Sequence, residues 1–189
     1  MNIRPLTPEL WTAFENLFGK AGASNGCWCM YWRLGPGYHK CGREVNKASM
    51  RSIVERGPPP GLLAFEGDLA KAWVQVTPRE MLPWLDRARY LGPVDDLRVW
   101  SLSCFFVRRG CRRQGMTASL IKAALKFAKN GGAPALEAYP VDVKQPKATR
   151  NRFTGIASTF ENAGFHVVLR RTLSRPIMRH YLETVQSDS

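Results

Sequence analysis

The stretch "VWSLSCFFVRRGCRRQGMTASLIKAALKFAKNGG", from Val99 to Gly132, constrains the chain more than any other. An unbroken apolar run reads as a buried strand. A turn with four arginines and Gly115 follows, and then a helix with Leu120, Ile121, Ala124, Leu125 and Ala128 on one side, stopped by Gly131. A buried strand that feeds a tight turn and a helix aims the helix's first unpaired N–H groups into the space above the sheet edge. Those donors and the helix dipole favour an anion. Gly115 lets backbone approach a ligand closely, and Arg112 and Arg113 add charge-assisted donors at the same place. This arrangement suits a pyrophosphate. A basic turn that merely connects strand to helix is the plainer alternative.

The rest of the sequence arranges elements around this unit. "NIRPL" reads as an edge strand. "TPELWTAFENLFGKAG" reads as a helix with Thr7 as N-cap, Pro8 at the first position, an inward face of Leu10, Trp11, Phe14, Leu17 and Phe18, and Gly22 as its end. The aromatic "GCWCMYWRL" is a short helix or turn. "REVNKASMRSIVERG" predicts a helix with Val45, Met50, Ile53 and Val54 inward. "GLLAFEGDLAKAWVQV" is a hairpin. Residues 77–98 form an irregular insertion of the length that tends to carry function. "APALEAYPV" is a strand, "KQPKATRNR" a basic loop, "TGIASTFENAG" a short helix ending at Gly164, and "FHVVLRR" and "SRPIMRHYL" two closing strands before a frayed tail. The order predicts an α/β fold, a mixed sheet with helices on both faces, in a single domain over 1–189.

Charge is unevenly spread. Residues 1–98 carry 13 Lys/Arg against 10 Asp/Glu, and residues 99–189 carry 15 against 5, which favours an anionic partner on the later half; a basic half that merely keeps the protein soluble is the alternative. A duplex-binding patch would spread its cations along a helix face, and nucleic acid is not the expected partner. No run is long and apolar enough to span a membrane, and the start does not read as a secretory signal, so a cytoplasmic location and reduced thiols are expected for the five cysteines. Cys27, Cys29, Cys41 and His39 are badly spaced for a zinc site, and no metal is expected.

"VRRGCRRQGMTASL" resembles the signature of the GNAT superfamily of acyl-CoA-dependent N-acetyltransferases, with Val107 at the strand end, Arg112, Arg113, Gln114, Gly115 and Met116 in the loop, and Leu120 in the helix. "STFENAGF" resembles that family's helix-to-strand junction, and the element order agrees. The resemblance implies a mostly antiparallel, splayed sheet and acetyl-CoA as donor. It places the pyrophosphate on the N–H groups of residues 112 to 117, ending at Thr117 where the family has Gly or Ala. It also places the pantetheine arm beside Phe105 and Val107. Direct transfer to an amine in a ternary complex follows, most simply to a primary amine of a small molecule.

Two family positions for catalytic side chains differ: Phe160 stands where a tyrosine acid is common, and Ser101 where some members have a glutamate base. By position, Tyr139 becomes the candidate acid and Glu137, on the same strand face, the candidate base; a tyrosine that simply packs and a Glu137 paired with an arginine are the alternatives. The acceptor pocket is expected around "CWCMYW", Trp73, Trp84 and Tyr90, with Asp95 and Asp96 holding a cationic amine; core packing of Trp28 and Trp32 and a solvated loop for the aspartates are the alternatives. A module that binds CoA or nucleic acid without catalysis, and a protein N-terminal or lysine acetylase, stay open. So does a homodimer.

Overall fold

A computed structural model of the chain describes residues 1–145 and 153–182. The basic loop expected at 144–152 therefore lies outside the described residues from 146 onward, as does the tail from 183.

The chain opens with β1 (Asn2–Pro5), then a 3-10 turn over Pro8–Leu10 that runs into α1 (Trp11–Phe18). Short helices α2 (Tyr31–Leu34) and α3 (Tyr38–Cys41) precede α4 (Arg43–Arg56). A hairpin of β2 (Gly61–Glu66) and β3 (Leu69–Pro78) leads to α5 (Trp84–Arg87) in the insertion. Then come β4 (Trp100–Val107), α6 (Met116–Asn130), β5 (Ala135–Ala138) and α7 (Ala157–Glu161). The hairpin of β6 (His166–Thr172) and β7 (Arg175–Tyr181) closes the fold. The strands form one seven-stranded sheet in the order β1-β2-β3-β4-β5-β7-β6. Every neighbouring pair is antiparallel except β4 with β5.

Alternation along β2 and β3 explains the two main cores. Leu62, Ala64, Ala72 and Val74 face α6, whose Leu120, Ile121, Ala124 and Ala128 are fully buried against them. Leu63, Phe65 and Trp73 point the other way and meet Trp11, Phe14, Leu17 and Phe18 of α1 with Met50 and Val54 of α4. Helices thus cover both faces, as the pattern predicts.

Three local expectations change. Helix α1 ends at Gly19, whose φ of 61° stops it one turn before Gly22. In α4, Val45 is exposed, and the inward stripe is Asn46, Met50 and Val54, an i, i+4, i+8 row. Asn46 is tolerated inside because its Nδ2 donates to the carbonyls of Gly26 and Tyr38, each at 2.9 Å. The insertion is packed down and not an open loop. Leu82, Leu85 and Leu91 are fully buried with Trp32, Tyr139 and Ile177 in a third core. Each such leucine is worth about 2 kcal/mol of burial, which holds the segment down.

Candidate acyl-donor cleft and acceptor pocket

Strand β4 pairs with β5 only through Trp100, Ser101 and Leu102, which lie opposite Leu136, Glu137 and Ala138. Beyond Leu102 the two strands part, while β4 keeps its ladder with β3 as far as Val107. One edge of β4 from Ser103 to Val107 therefore faces a gap. Backbone groups of that edge are partly engaged. Trp32 Nε1 donates to the Ser103 carbonyl at 3.0 Å, and the Phe105 N–H donates to the Phe153 carbonyl at 2.6 Å. The segment after Phe153 stays in the gap, where the Val141 N–H donates to Gly155 O and the Ala157 N–H to Val141 O. So the Phe105 N–H, expected to face a pantetheine arm, is bonded within the chain here. An unpaired strand edge takes whatever acceptor lies nearest.

At the end of β4 the arginine–glycine turn takes the shape that its residues require. Arg113 (φ 62°) and Gly115 (φ 75°) are both left-handed, and Gly115 is the residue before the first turn of α6. No side chain caps that helix. Its first internal bond runs from the Ser119 N–H to Gly115 O, so the N–H groups of Met116, Thr117 and Ala118 precede the ladder. A Cβ built on Gly115 would meet nothing within 4 Å, so the turn opens onto free space. The arginines divide their work. Arg108 Nη2 donates to Asn16 Oδ1 at 2.9 Å and ties the turn to α1, while Arg112 Nε donates to Val107 O at 3.2 Å.

Phe105, Val107, Arg112, Arg113, Gly115, Met116 and Thr117 line one cleft of about 900 Å³, together with Phe153, Gly155 and Thr159. Seven of the eight residues expected to hold the cofactor are thus brought together. The eighth, Gln114, does not line it, and its Nε2 donates to Gly110 O at 3.3 Å.

Tyr139 and Glu137 have another occupation. Both are shut off from solvent, at 0% and 1% exposure, and neither lines the cleft. Glu137 Oε1 accepts from Arg179 Nε at 3.1 Å and Nη2 at 2.5 Å, and Arg179 also holds Asp95 in two bonds of 2.7 and 3.1 Å. The Tyr139 hydroxyl donates to Glu137 Oε2 at 3.1 Å, accepts from Arg79 Nη1 at 2.7 Å, and lies 2.7 Å from Ser101 Oγ. Burial, then the neighbouring Glu137 charge, pushes the Tyr139 phenol well above its ordinary range. A phenol fixed by three partners in a dry network is poorly placed to protonate a leaving group in the cleft. Their strand alternation is as expected, but the side of the sheet they serve is the third core. Phe160, the other departure, is fully buried and lies edge-on to Phe105 and Phe165.

The acceptor side is also rearranged. Trp73 is a core residue, fully buried beside Phe14. Asp95 is neutralised by Arg179, which holds its carboxyl below the ordinary range. It lines a depression at the opposite end of β4, near Val99 and Pro134. Trp84 packs on Gly35, and Tyr90 is exposed. Trp28 stacks in the core of α1. The cavity that does adjoin the cleft, about 380 Å³, shares Ala23, Ser24, Phe105, Phe106 and Phe153 with it. Its further walls are Cys27, Tyr31, Trp32, Tyr38, His39 and Cys104. Among the described residues no carboxylate lines it. Of the expected acceptor segment, Cys27, Cys29, Tyr31 and Trp32 reach this pocket. Tyr38 and His39 were missed, because their signal is only an unpatterned "GPGYHK" after the aromatic run.

No protein-family model matches the chain, and no curated protein matches it by sequence. Solved structures do match. An acetyltransferase superposes with a TM-score of 0.61 at 17% identity, covering 97% of this chain and all of that one. The PaiA N-acetyltransferase of Thermoplasma acidophilum, solved in complex with coenzyme A, gives 0.56 at 15% identity over 95% of this chain and 98% of its own. An acetyltransferase of the GNAT family from Streptococcus pneumoniae gives 0.54 at 12% identity over 96% and 99%. Among the described residues no helix is long and apolar enough to cross a membrane. The splayed sheet, the turn at Gly115 and these superpositions agree on one architecture: the chain has the fold of the GNAT acetyltransferases.

Proposed function

We propose that the protein is an acetyl-CoA-dependent N-acetyltransferase that acetylates a primary amine of a small molecule by direct transfer in a ternary complex. One observation carries the reading: an anion-ready turn and a splayed strand edge open into the same cleft, and a second pocket meets that cleft at Phe105 and Phe106. The fold is that of solved acetyltransferases, one of them bound to coenzyme A.

The donor fits the residues present. The N–H groups of Met116, Thr117 and Ala118, the open space over Gly115, and the guanidinium of Arg113 form a cradle for a pyrophosphate. Acetyl-CoA would supply the acyl group as an activated thioester. The acceptor enters between Tyr31, Trp32, Tyr38 and Phe106, walls that suit a flat or aromatic body. The amine must be in its neutral form to attack the thioester, and no carboxylate among the described lining residues would hold it as an ion-paired ammonium. His39 is the imidazole on this pocket and the group suited to take the amine's proton, directly or through water. Alignment of amine and thioester supplies much of the rate.

Thermal shift at one fixed salt concentration, with acetyl-CoA, CoA and a short DNA duplex as separate ligands, tests the donor site. A ligand at about a hundred times its dissociation constant adds about 2.7 kcal/mol. Stabilisation by acetyl-CoA and not by DNA is expected. Stabilisation by DNA alone would make the arginine turn a phosphate-backbone reader. A screen of amines for thiol release then identifies the acceptor, aromatic amines being expected above polyamines. Newly acetylated lysines or N-termini in a proteome, with no small amine consumed, would assign the protein-acetylase alternative.

A further inference from the structure

The turn after α1 is held in an unusual backbone conformation. Trp28 (φ 46°) and Cys29 (φ 59°) are consecutive left-handed residues that are not glycine. That conformation is disfavoured for residues with a Cβ. It sets Cys29 Sγ 3.3 Å from Cys104 Sγ on β4, a residue 75 positions away in sequence. Trp73 Nε1 also donates to Cys29 Sγ at 3.1 Å and restrains the sulfur.

The two thiols differ in access. Cys29 is buried at 4% exposure, and burial holds its thiol well above the ordinary range. Cys104 is half-buried, one residue before Phe105. Both line the pocket that adjoins the cleft. A small disulfide entering that pocket therefore reaches Cys104 first, with Cys29 behind it. The sulfurs lie 3.3 Å apart, against about 2.0 Å in a disulfide, so a side-chain movement of about 1.3 Å joins them.

We propose that Cys104 and Cys29 form a dithiol site that reduces low-molecular-weight disulfides by thiol–disulfide exchange. Cys104 thiolate attacks one sulfur of the small disulfide. The S–S bond breaks, and one thiolate leaves and takes a proton. Cys29 gives up its proton to solvent and attacks the Cys104 sulfur of the mixed disulfide, expelling the second thiolate, which is protonated in turn. Two protein thiols and one disulfide become one protein disulfide and two small thiols, and the two electrons pass from the protein to the small disulfide. The site stands on the geometry of the sulfurs and the pocket; it needs no acetyl transfer. If the acetyltransferase reading holds, the oxidised form ties the β4 wall of the acceptor pocket to the turn after α1.

The test uses the full chain in a Cys41→Ser background, since Cys41 is exposed and would react on its own. The reduced protein is incubated with glutathione disulfide, and intact masses and non-reduced peptide maps are recorded. The expected result is a Cys29–Cys104 cross-linked peptide with two hydrogens lost and no glutathione retained. Cys29→Ser is expected to stop at a glutathione adduct on Cys104, and Cys104→Ser to leave Cys29 unmodified. A mixed disulfide that persists on Cys104 of the background protein would overturn the proposal, as would a Cys104 that stays free while Cys27 reacts. Both are read from the background protein, so a variant that fails to fold does not remove the test. Acetyl-CoA binding is measured separately, and its outcome leaves this one unchanged.

Discussion

Arg179 grips Glu137 with two nitrogens on a single carboxylate oxygen, Nε at 3.1 Å and Nη2 at 2.5 Å, in a part of the sheet where both are about 1% exposed. The pair joins β5 to β7, which place Glu137 opposite Arg179 in register. Removing the carboxylate leaves a buried guanidinium held, among the described residues, by Asp95 and by the ring and hydroxyl of Tyr181. Glu137→Ala should therefore destabilise the chain by about 3 kcal/mol, the lower end for a broken buried pair because Asp95 stays in place. Urea denaturation measures it. A stable, folded Glu137→Ala protein with turnover lost by orders of magnitude would instead return Glu137 to the role of base.

Tyr139→Phe separates structure from chemistry in the same network. The change strips one donor from Glu137 and leaves Arg79 Nη1 and Ser101 Oγ short of a partner, at a cost of about 1–3 kcal/mol. Turnover per folded molecule is expected to stay within a few fold. A loss of about a hundredfold in kcat with unchanged KM would show that the phenol does reach the leaving thiolate.

What could be read in the sequence was local. The strand, glycine turn and helix from Trp100 to Asn130 lie in one continuous segment, and each signal in it concerns neighbours a few residues apart. Helix existence was equally clear in α4, but its rotation was not. Choosing Val45 over Asn46 for the inside followed hydrophobicity, and two carbonyls from separate turns satisfy the asparagine amide instead. A packed Tyr139 and a Glu137 paired with an arginine are legible as alternatives to catalysis, but the partners are not, for the same reason. Arg79, Asp95 and Arg179 come from three segments that only the folded sheet brings to Glu137 and Tyr139. The Cys29–Cys104 approach, and the part of His39 in a pocket with Cys104, are likewise products of tertiary packing.

The donor turn offers a pair of contrasting substitutions. Gly115→Asp forces an L side chain into φ 75° and puts a carboxylate where the cradle opens, so acetyl-CoA binding should be lost by calorimetry, with stability reduced by about 1–2 kcal/mol. Arg113→Gly relieves the same kind of strain at φ 62° and should raise stability by about 1 kcal/mol. It also removes a guanidinium from the cleft, so affinity for acetyl-CoA should fall about tenfold, near the strength of one charge-assisted hydrogen bond. Unchanged affinity in both proteins would remove the turn from the donor site.

His39→Gln tests the acceptor side. The imidazole sits on Tyr38 with ring centroids 3.8 Å apart, which keeps it at the mouth of the aromatic pocket. Loss of a proton acceptor there should lower kcat about a hundredfold, with acetyl-CoA affinity unchanged. An unaltered kcat would leave proton removal to water.

Cys27 gives a prediction whose sign follows from burial. Desolvation, with Cys29 nearby, raises its thiol from an ordinary 9.0 to about 11, so the folded chain holds that proton more tightly than the unfolded one. The stability this confers is complete below about pH 9 and is lost as the pH rises through 11. Two measurements follow. At pH 8 alkylation of Cys27 by iodoacetamide should run about a hundredfold slower than that of an unperturbed thiol, because so little thiolate is present. Urea midpoints should fall between pH 9 and 11, and Cys27→Ala should make that fall shallower. A Cys27 that alkylates at pH 8 as fast as free cysteine would mean that water reaches the sulfur, and that the pocket between α2 and β4 is open in solution to far more than a small amine.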